Sequence, residues 1–235
     1  MARLCFDYGH GGVDSGACYK GRKESNDVLS VGKAIASEVR KHGIIVDETR
    51  TSDATVVLND RSNFENRNSY DYFISFHRNA FKPEKVKGVE TYTHLNASTK
   101  AKALAEKIQA GLVSVGFVNR GVKTANYHVL RETICPAVLI EMGFIDSNND
   151  NNLFDAKRNE IIREIAKAIL SQLGIGYKEN VVNKPQVTVK SSTSSSRETL
   201  YRVMAGSYAV RDNAEKQVQK LKNAGFDAAI MIFNK

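Results

Sequence analysis

Apolar residues in the first 180 positions follow two patterns that alternate along the chain. Short apolar runs predict strands at Leu4–Tyr8, Ile44–Asp47, Tyr72–Phe76, Val89–Tyr92, Tyr127–Leu130 and Ala137–Ile140. Between and after these runs, apolar residues recur at helical spacing and predict helices through Val28–Val39, Leu104–Leu112 and Ile161–Leu170. This alternation is typical of an α/β domain with a mostly parallel central sheet flanked by helices.

The pattern changes near residue 179. Residues 179–198 include a Ser/Thr run and few large apolar side chains, so they are predicted to form a flexible linker. After the linker the sequence predicts a strand, a helix and a strand at Tyr201–Ala205, Asn213–Asn223 and Ala228–Phe233. We therefore predict a domain at 1–178, a linker at 179–198 and a small C-terminal βαβ domain at 199–235.

Composition adds limits on the class of protein. An apolar content of 42% with 26% charged residues excludes disorder over most of the chain. Three cysteines are an odd number without framework spacing, which argues against a disulfide scaffold. No stretch reaches the roughly 18 apolar residues of a membrane span, and the first residues lack a signal-peptide pattern. We expect a chain made in the cytoplasm, without membrane insertion.

The positive charge is concentrated at the C-terminal end. Of the net charge of +8, residues 1–180 carry +3 and the last 55 residues carry +5, with 9 Lys+Arg against 4 Asp+Glu. A basic segment of this kind suits a polyanion, which includes nucleic acid, lipid headgroups and an anionic cell-wall polymer.

Two histidines and two glutamates stand where chemistry is expected in such a fold. His10 and His77 each come at the carboxyl end of a predicted strand, where open α/β sheets place ligand sites. Glu24 immediately precedes a helix whose predicted cap is Ser25 or Asn26. If His10, Glu24 and His77 meet at this rim, they supply three protein ligands and leave one position open, which is the arrangement of catalytic zinc. Glu141 follows a strongly apolar strand, where a carboxylate is costly unless it has a partner or a task such as proton transfer.

Each of these residues also has a simpler interpretation. His10 can be a hydrogen-bonding loop residue, Glu24 a charge favoured by the helix dipole, and Glu141 the partner of a buried arginine. Of the remaining histidines, His42 is expected to act electrostatically at a helix end, and His94 and His128 to lie at the surface or at a rim. Spacing alone leaves these alternatives open.

A resemblance favours the metal-site interpretation. Six short motifs resemble, in this order, the zinc-dependent N-acetylmuramoyl-L-alanine amidases of the amidase-3 type. They are Gly-His-Gly-Gly at 9–12, Glu24, Thr-Arg-Thr-Ser-Asp at 49–53, Leu58 with Arg61 and Asn66, Phe-Ile-Ser-Phe-His-Arg-Asn-Ala at 73–80, and Leu-Ile-Glu-Met-Gly-Phe at 139–144. The resemblance covers residues 2–175. It implies that His10, Glu24 and His77 bind zinc, that Glu141 is catalytic, and that the substrate is the amide between N-acetylmuramic acid and L-alanine in peptidoglycan. Arg78 departs from the family pattern, because small residues are usual at this position. Since it lies beside a proposed ligand, we expect it to alter contacts with substrate and not metal binding.

The tail resembles the SPOR family of peptidoglycan-binding domains. The resemblance rests on the segments Tyr201–Tyr208, Asn213–Glu215 and Leu221–Ala228. Those domains usually have two βαβ halves and this tail has one, so we expect two tails to complete each other in a homodimer. The alternatives are a basic appendage that merely adheres to anionic polymer, a nucleic-acid-binding protein, and a non-catalytic wall-binding regulator. Nucleic-acid binding would leave the His/Glu set unused, so peptidoglycan is the expected partner. We expect a lysis enzyme, either a phage endolysin or a mother-cell lysin, that reaches the wall after release.

Overall fold

The computed structural model describes residues 1–179, 206, 208, 210–223, 226 and 228–231. The chain divides into two units, Met1–Val181 and Val182–Lys235. No helix in the described part of the chain is long and apolar enough to cross a membrane.

A six-stranded sheet forms the centre of the first unit. Its strands are β1 (Arg3–Tyr8), β4 (Ile45–Glu48), β5 (Tyr72–Asn79), β6 (Val89–Thr93), β7 (Asn119–Thr124) and β8 (Ala137–Phe144). Their order across the sheet is β4-β1-β5-β8-β6-β7, and every neighbouring pair is parallel except β8 and β6. The predicted mostly parallel sheet is therefore confirmed. A separate two-stranded hairpin consists of β2 (Cys18–Tyr19) and β3 (Arg22–Lys23).

Helices cover both faces of this sheet. They are α1 (Glu24–Arg40), α2 (Leu58–Asn66), α3 (Thr99–Val115), α4 (His128–Arg131), α5 (Asn148–Ala156) and α6 (Arg158–Gln172). Alternate strand residues point to opposite faces. One set, which includes Phe6, Ile74 and Ile140, packs in the large core cluster with α1, α3 and α6. The other set packs in a smaller cluster with residues of α2 and α4, and includes Cys5, Phe73 and Leu139.

Three local predictions were wrong or incomplete. The apolar run Tyr127–Leu130 is not a strand, because His128–Arg131 forms one helical turn that buries Val129 and Leu130. The strand in this region is β7, an edge strand whose residues are largely exposed and which therefore has no apolar run. Glu24 is the first residue of α1, and Lys23, not Ser25 or Asn26, is its N-cap.

The second unit contains one described helix, α7 (Arg211–Asn223), which confirms the predicted helix. The predicted strand at 201–205 lies outside the described residues. Residues 228–231 have no strand assignment, and residues 232 and 233 also lie outside the described part. The two flanking strands of the βαβ unit stay a prediction.

Candidate metal and catalytic site

The site is built on a row of residues that crosses four strands. His77 of β5 lies opposite Glu141 of β8, and Glu141 lies opposite Glu90 of β6. Directly opposed residues project from the same face of a sheet. Gly9, which follows β1, continues the row beside β5, since its N–H donates to the carbonyl of Phe76 at 3.1 Å. Two carboxylates and one imidazole therefore share one face next to a position without a side chain.

Glycines make room for the imidazoles. A Cβ atom on Gly9 would lie 2.2 Å from Cε1 of His77, and a Cβ atom on Gly16 would lie 2.7 Å from both Cδ2 of His10 and Oε2 of Glu24. Gly16 also has φ of +64°, a left-handed conformation that favours glycine. The loop between β1 and β2 can therefore fold closely around the two histidines.

Glu24 brings the two histidines together. Its Oε1 lies 3.1 Å from Nε2 of His10 and 2.9 Å from Nδ1 of His77. The same oxygen accepts the backbone N–H of Arg78 at 3.0 Å, and Oε2 accepts the N–H of Ala17 at 2.9 Å. Burial raises the pKa of Glu24, but the hydrogen bonds with His10 and His77 outweigh it and hold that pKa far below its usual range. The carboxylate is therefore ionised.

His10 is oriented by a second carboxylate. Its Nδ1 lies 2.8 Å from Oδ2 of Asp14, whose other oxygen accepts the N–H of Gly16 at 2.9 Å. A carboxylate on the outer nitrogen fixes the ring and leaves Nε2 directed toward Glu24. His10, Glu24 and His77 each offer one ligand atom, and these atoms lie within 4.8 Å of one another, so the three residues could hold a metal ion.

Glu141 stands beside this set without a partner. Its side-chain Oε2 is buried and has no hydrogen-bond partner within the described residues. Burial raises the pKa of Glu141 to about 7, against the opposing effect of His77. Burying a carboxylate without a hydrogen-bond partner is costly, so the position of Glu141 favours a catalytic role over a structural one. The simpler interpretation, a buried ion pair with an arginine, has no counterpart in the described structure.

These four residues open into one cleft of about 890 Å³. The cleft wall away from the metal set is mostly apolar and is formed by residues of α2, α4 and the segments before them: Thr55, Val56, Val57, Leu58, Asn59, Tyr127, His128 and Val129. The site therefore combines a polar floor with an apolar wall, as substrate pockets generally do.

Comparison with known proteins identifies the family. A sequence model of the family described as N-acetylmuramoyl-L-alanine amidase matches residues 4–171. The chain belongs to this family. The amidase accordingly hydrolyses the amide bond between N-acetylmuramic acid and L-alanine in peptidoglycan, and its role is lysis of the cell wall.

Individual relatives agree with this assignment. The chain is 32% identical to the sporulation-specific N-acetylmuramoyl-L-alanine amidase of Bacillus subtilis strain 168, over 99% of this chain and 85% of that protein. It is 35% identical to the endolysin of Bacillus phage SPP1, over 71% of this chain and 63% of that protein. The crystal structure of an N-acetylmuramoyl-L-alanine amidase from Clostridium difficile 630 has 33% identity and a TM-score of 0.71, over 74% of this chain and 97% of that chain.

A second family model, described as the SPOR domain, matches residues 163–232 of the amidase. The resemblance of the tail to this family is confirmed. The match begins inside α6, where Ile165, Ala166 and Ile169 are buried in the core of the first unit. The first residues of the SPOR match thus belong to the catalytic fold. The rest of the match lies in the second unit or in the segment that leads to it.

The remaining histidines of the amidase lie where they were expected. His42 lies at the end of α1, with Nδ1 3.1 Å from the carbonyl of Glu38 and Nε2 accepting the N–H of Lys178 at 3.0 Å. His94 accepts the N–H of Asn96 outside the cleft lining, whereas His128 lines the cleft and lies 3.2 Å from Oγ of Ser62.

Arg78 differs from its sequence-based interpretation. It follows His77 on β5, so its side chain projects from the opposite face of the sheet and is 1% exposed. There it forms an ion pair with Asp27 at 2.7 Å, donates to Oδ1 of Asn151 at 2.7 Å and lies 4.1 Å from the ring centre of Phe154. Arg78 therefore links α1 to α5, and its buried side chain argues against a direct contact with substrate.

Proposed function

We propose that the amidase is a zinc enzyme in which His10, Glu24 and His77 hold the metal and Glu141 transfers protons. The observation that carries this proposal is the convergence of the three ligand atoms beside the unpaired Oε2 of Glu141. Two imidazole nitrogens and one carboxylate oxygen are a donor set that zinc prefers at catalytic sites. When bound, zinc supplies a Lewis acid that polarises the amide carbonyl and lowers the pKa of water to roughly 7.

The side chains around the site fit this donor set. Asp14 holds the outer nitrogen of His10, and the N–H groups of Ala17 and Arg78 hold the Glu24 carboxylate. Such outer contacts keep ligands in place before the metal arrives. Oε2 of Glu141 has no hydrogen-bond partner among the described residues, so none of these contacts occupies it.

Glu141 would serve the reaction as both base and acid. A carboxylate whose pKa is near the working pH can take a proton from the attacking water and later give it to the leaving nitrogen of L-alanine. Burial keeps the group poised for this exchange, since it raises the pKa of Glu141 to about 7. The apolar wall of the cleft would limit competing water.

The zinc proposal predicts a reversible loss of activity on metal removal. Purified peptidoglycan treated with the full chain should gain free amino groups on the L-alanine residues of its stem peptides, and treatment of the enzyme with a chelator should abolish this gain. Added zinc should restore it, because the donor set is intact. Full activity after verified removal of all metal would contradict the proposal.

We also propose that residues 1–178 are an independent catalytic domain. The chain beyond α6 stays attached to this domain as far as Lys178: the hydroxyl of Tyr177 donates to Glu38 at 2.9 Å, and the Tyr177 ring stacks on His42. A chain of residues 1–178 should therefore fold, bind zinc and cleave soluble muropeptide, while its binding to intact walls weakens. Circular dichroism measures folding and wall sedimentation measures wall binding. Failure to fold would show that the tail is part of the core.

The tail is proposed to be a wall-binding dimerisation domain. A single βαβ unit of about 37 residues buries too little apolar surface to offset its conformational entropy. The SPOR match extends back into α6, which the catalytic core already uses, so the tail is left with the part of the match that follows residue 181. Two tails related by a two-fold axis could complete one sheet, and two linked catalytic domains would then gain avidity for the wall.

This proposal predicts a dimer of the full chain and a monomer of residues 1–178. Light scattering at tens of micromolar protein should give twice the chain mass for the full length only. A monomeric full-length chain at that concentration would rule out the dimer, and a dimeric residue 1–178 chain would place the contact in the catalytic domain.

A further inference from the structure

Two buried arginines lie beneath the loop that carries His10. Arg50 follows β4 and is 4% exposed, and Arg61 belongs to α2 and is 3% exposed. Neither is a candidate metal ligand. Burying a guanidinium is costly unless its donors are satisfied, so the groups that each arginine contacts indicate its task.

Arg61 holds the carbonyl of the metal ligand itself. Its Nη2 donates to the His10 carbonyl at 2.8 Å, and its Nη1 donates to the Tyr8 carbonyl and to Oδ1 of Asp7, both at 2.7 Å. Its Nε donates to the carbonyl of Val56 at 3.0 Å. Asp7 balances the charge, and its carboxylate also accepts from Ser75 at 2.7 Å.

Arg50 joins two ligand segments. Its Nε donates to the Tyr8 carbonyl at 2.8 Å, and its Nη2 donates to the carbonyls of Gly9 and Ser25, both at 2.9 Å. Its Nη1 donates to Ser52 at 3.0 Å. Gly9 precedes His10 and Ser25 follows Glu24, so one guanidinium links the backbones beside two ligands. In the described structure all hydrogen bonds of Arg50 go to backbone carbonyls and none to a carboxylate.

The backbone at His10 needs such support. His10 has φ of +61°, a left-handed conformation that is uncommon for a residue other than glycine. Such a conformation persists where surrounding contacts over-determine it. The two arginines supply these contacts, because the carbonyls of three successive residues, Tyr8, Gly9 and His10, each accept from a guanidinium.

We propose that Arg50 and Arg61 are positioning residues that hold the backbones of His10 and Glu24 in the geometry required for metal binding. This inference rests on the proposed zinc site. A planar guanidinium with five fixed donors can hold several carbonyls at once, whereas a lysine ammonium keeps the charge but loses this geometry. Arg50→Lys and Arg61→Lys should therefore weaken zinc binding through geometry and not through charge.

The test measures zinc affinity of the full chain by competition with a chromophoric chelator, together with the melting temperature of the metal-free protein. Each lysine variant is expected to bind zinc about tenfold or more weakly, which is the usual effect of losing contacts that orient a ligand. Glu65→Gln is the matched control. Glu65 lies one turn after Arg61 on α2 and is equally buried, but it accepts the N–H groups of Ile134 and Cys135, which precede β8.

Glu65→Gln should lower the melting temperature and leave zinc affinity unchanged. The inference would be overturned if both lysine variants bound zinc as tightly as the wild type, or if Glu65→Gln weakened zinc binding equally. If Arg61→Lys fails to fold because Asp7 loses its partner, Arg50→Lys decides the question. If neither variant folds, Arg50 and Arg61 are folding determinants and the proposal is rejected. If His10→Ala binds zinc like the wild type, the proposed zinc site itself is wrong, which is a separate outcome.

Discussion

Replacing Glu141 by alanine is expected to reduce amide hydrolysis by about 10²–10⁴-fold while zinc stays bound. The carboxylate is proposed to move the protons of the reaction, whereas the ligand atoms of His10, Glu24 and His77 converge without it. Metal content of the purified variant and the rate at which a soluble muropeptide gains free L-alanine N-termini measure the two effects separately.

His77→Ala is the matched comparison for this variant. It removes one of the proposed ligands on the strand adjacent to Glu141, so both zinc and activity should be lost. If Glu141→Ala kept more than about a tenth of the wild-type rate, the loss would fall below the range for acid–base catalysis and its role would have to be reassigned. Loss of zinc from Glu141→Ala would instead make Glu141 part of the metal site.

Replacing Arg78 by leucine is expected to lower the free energy of unfolding by about 3 kcal/mol. The change removes a fully buried guanidinium from Asp27, Asn151 and the face of Phe154. Breaking a buried pair typically costs roughly 3–5 kcal/mol, and we expect the lower end because Arg22 still pairs with Asp27 at 2.6 Å. Urea unfolding of the full chain measures this loss.

The same variant tests where the Arg78 side chain lies. KM for a soluble muropeptide should change little, because the side chain projects from the face opposite His77. Arg131→Ala is a suitable control, since Arg131 forms an exposed ion pair with Glu132, and exposed pairs contribute little to stability. A stable Arg78→Leu protein with a raised KM would show that Arg78 contacts substrate after all.

The elements that the sequence predicted are those whose buried faces are apolar. The central strands and the helices α1, α3 and α6 all pack such faces in the core, so periodicity locates them. Helix α2 was missed because its buried residues are polar, namely Arg61, Ser62 and Glu65. The edge strand β7 was missed for a related reason, since an exposed strand needs no apolar run.

The candidate site was predictable to a different extent. The positions of His10 and His77 after apolar strands indicated one rim of the sheet, and only the resemblance favoured ligation over simpler roles. The contacts of Arg50 and Arg61 with the His10 loop join residues 41 to 54 positions apart in the sequence. Such contacts depend on the order of strands in the sheet, which local sequence patterns do not specify.

The reversed direction of β6 has a consequence for how this enzyme can diversify. Because β6 is antiparallel to β8, β6 begins beside Glu141 and runs toward the start of β8, away from Glu141. Ala80, the first residue of the segment that joins β5 to β6, lines the cleft, whereas none of residues 94–98, which follow β6, does so. Insertions in the first segment would reshape access to the substrate while the sheet is preserved. The second segment is a natural position for a fused domain or an immobilisation tag that leaves catalysis undisturbed.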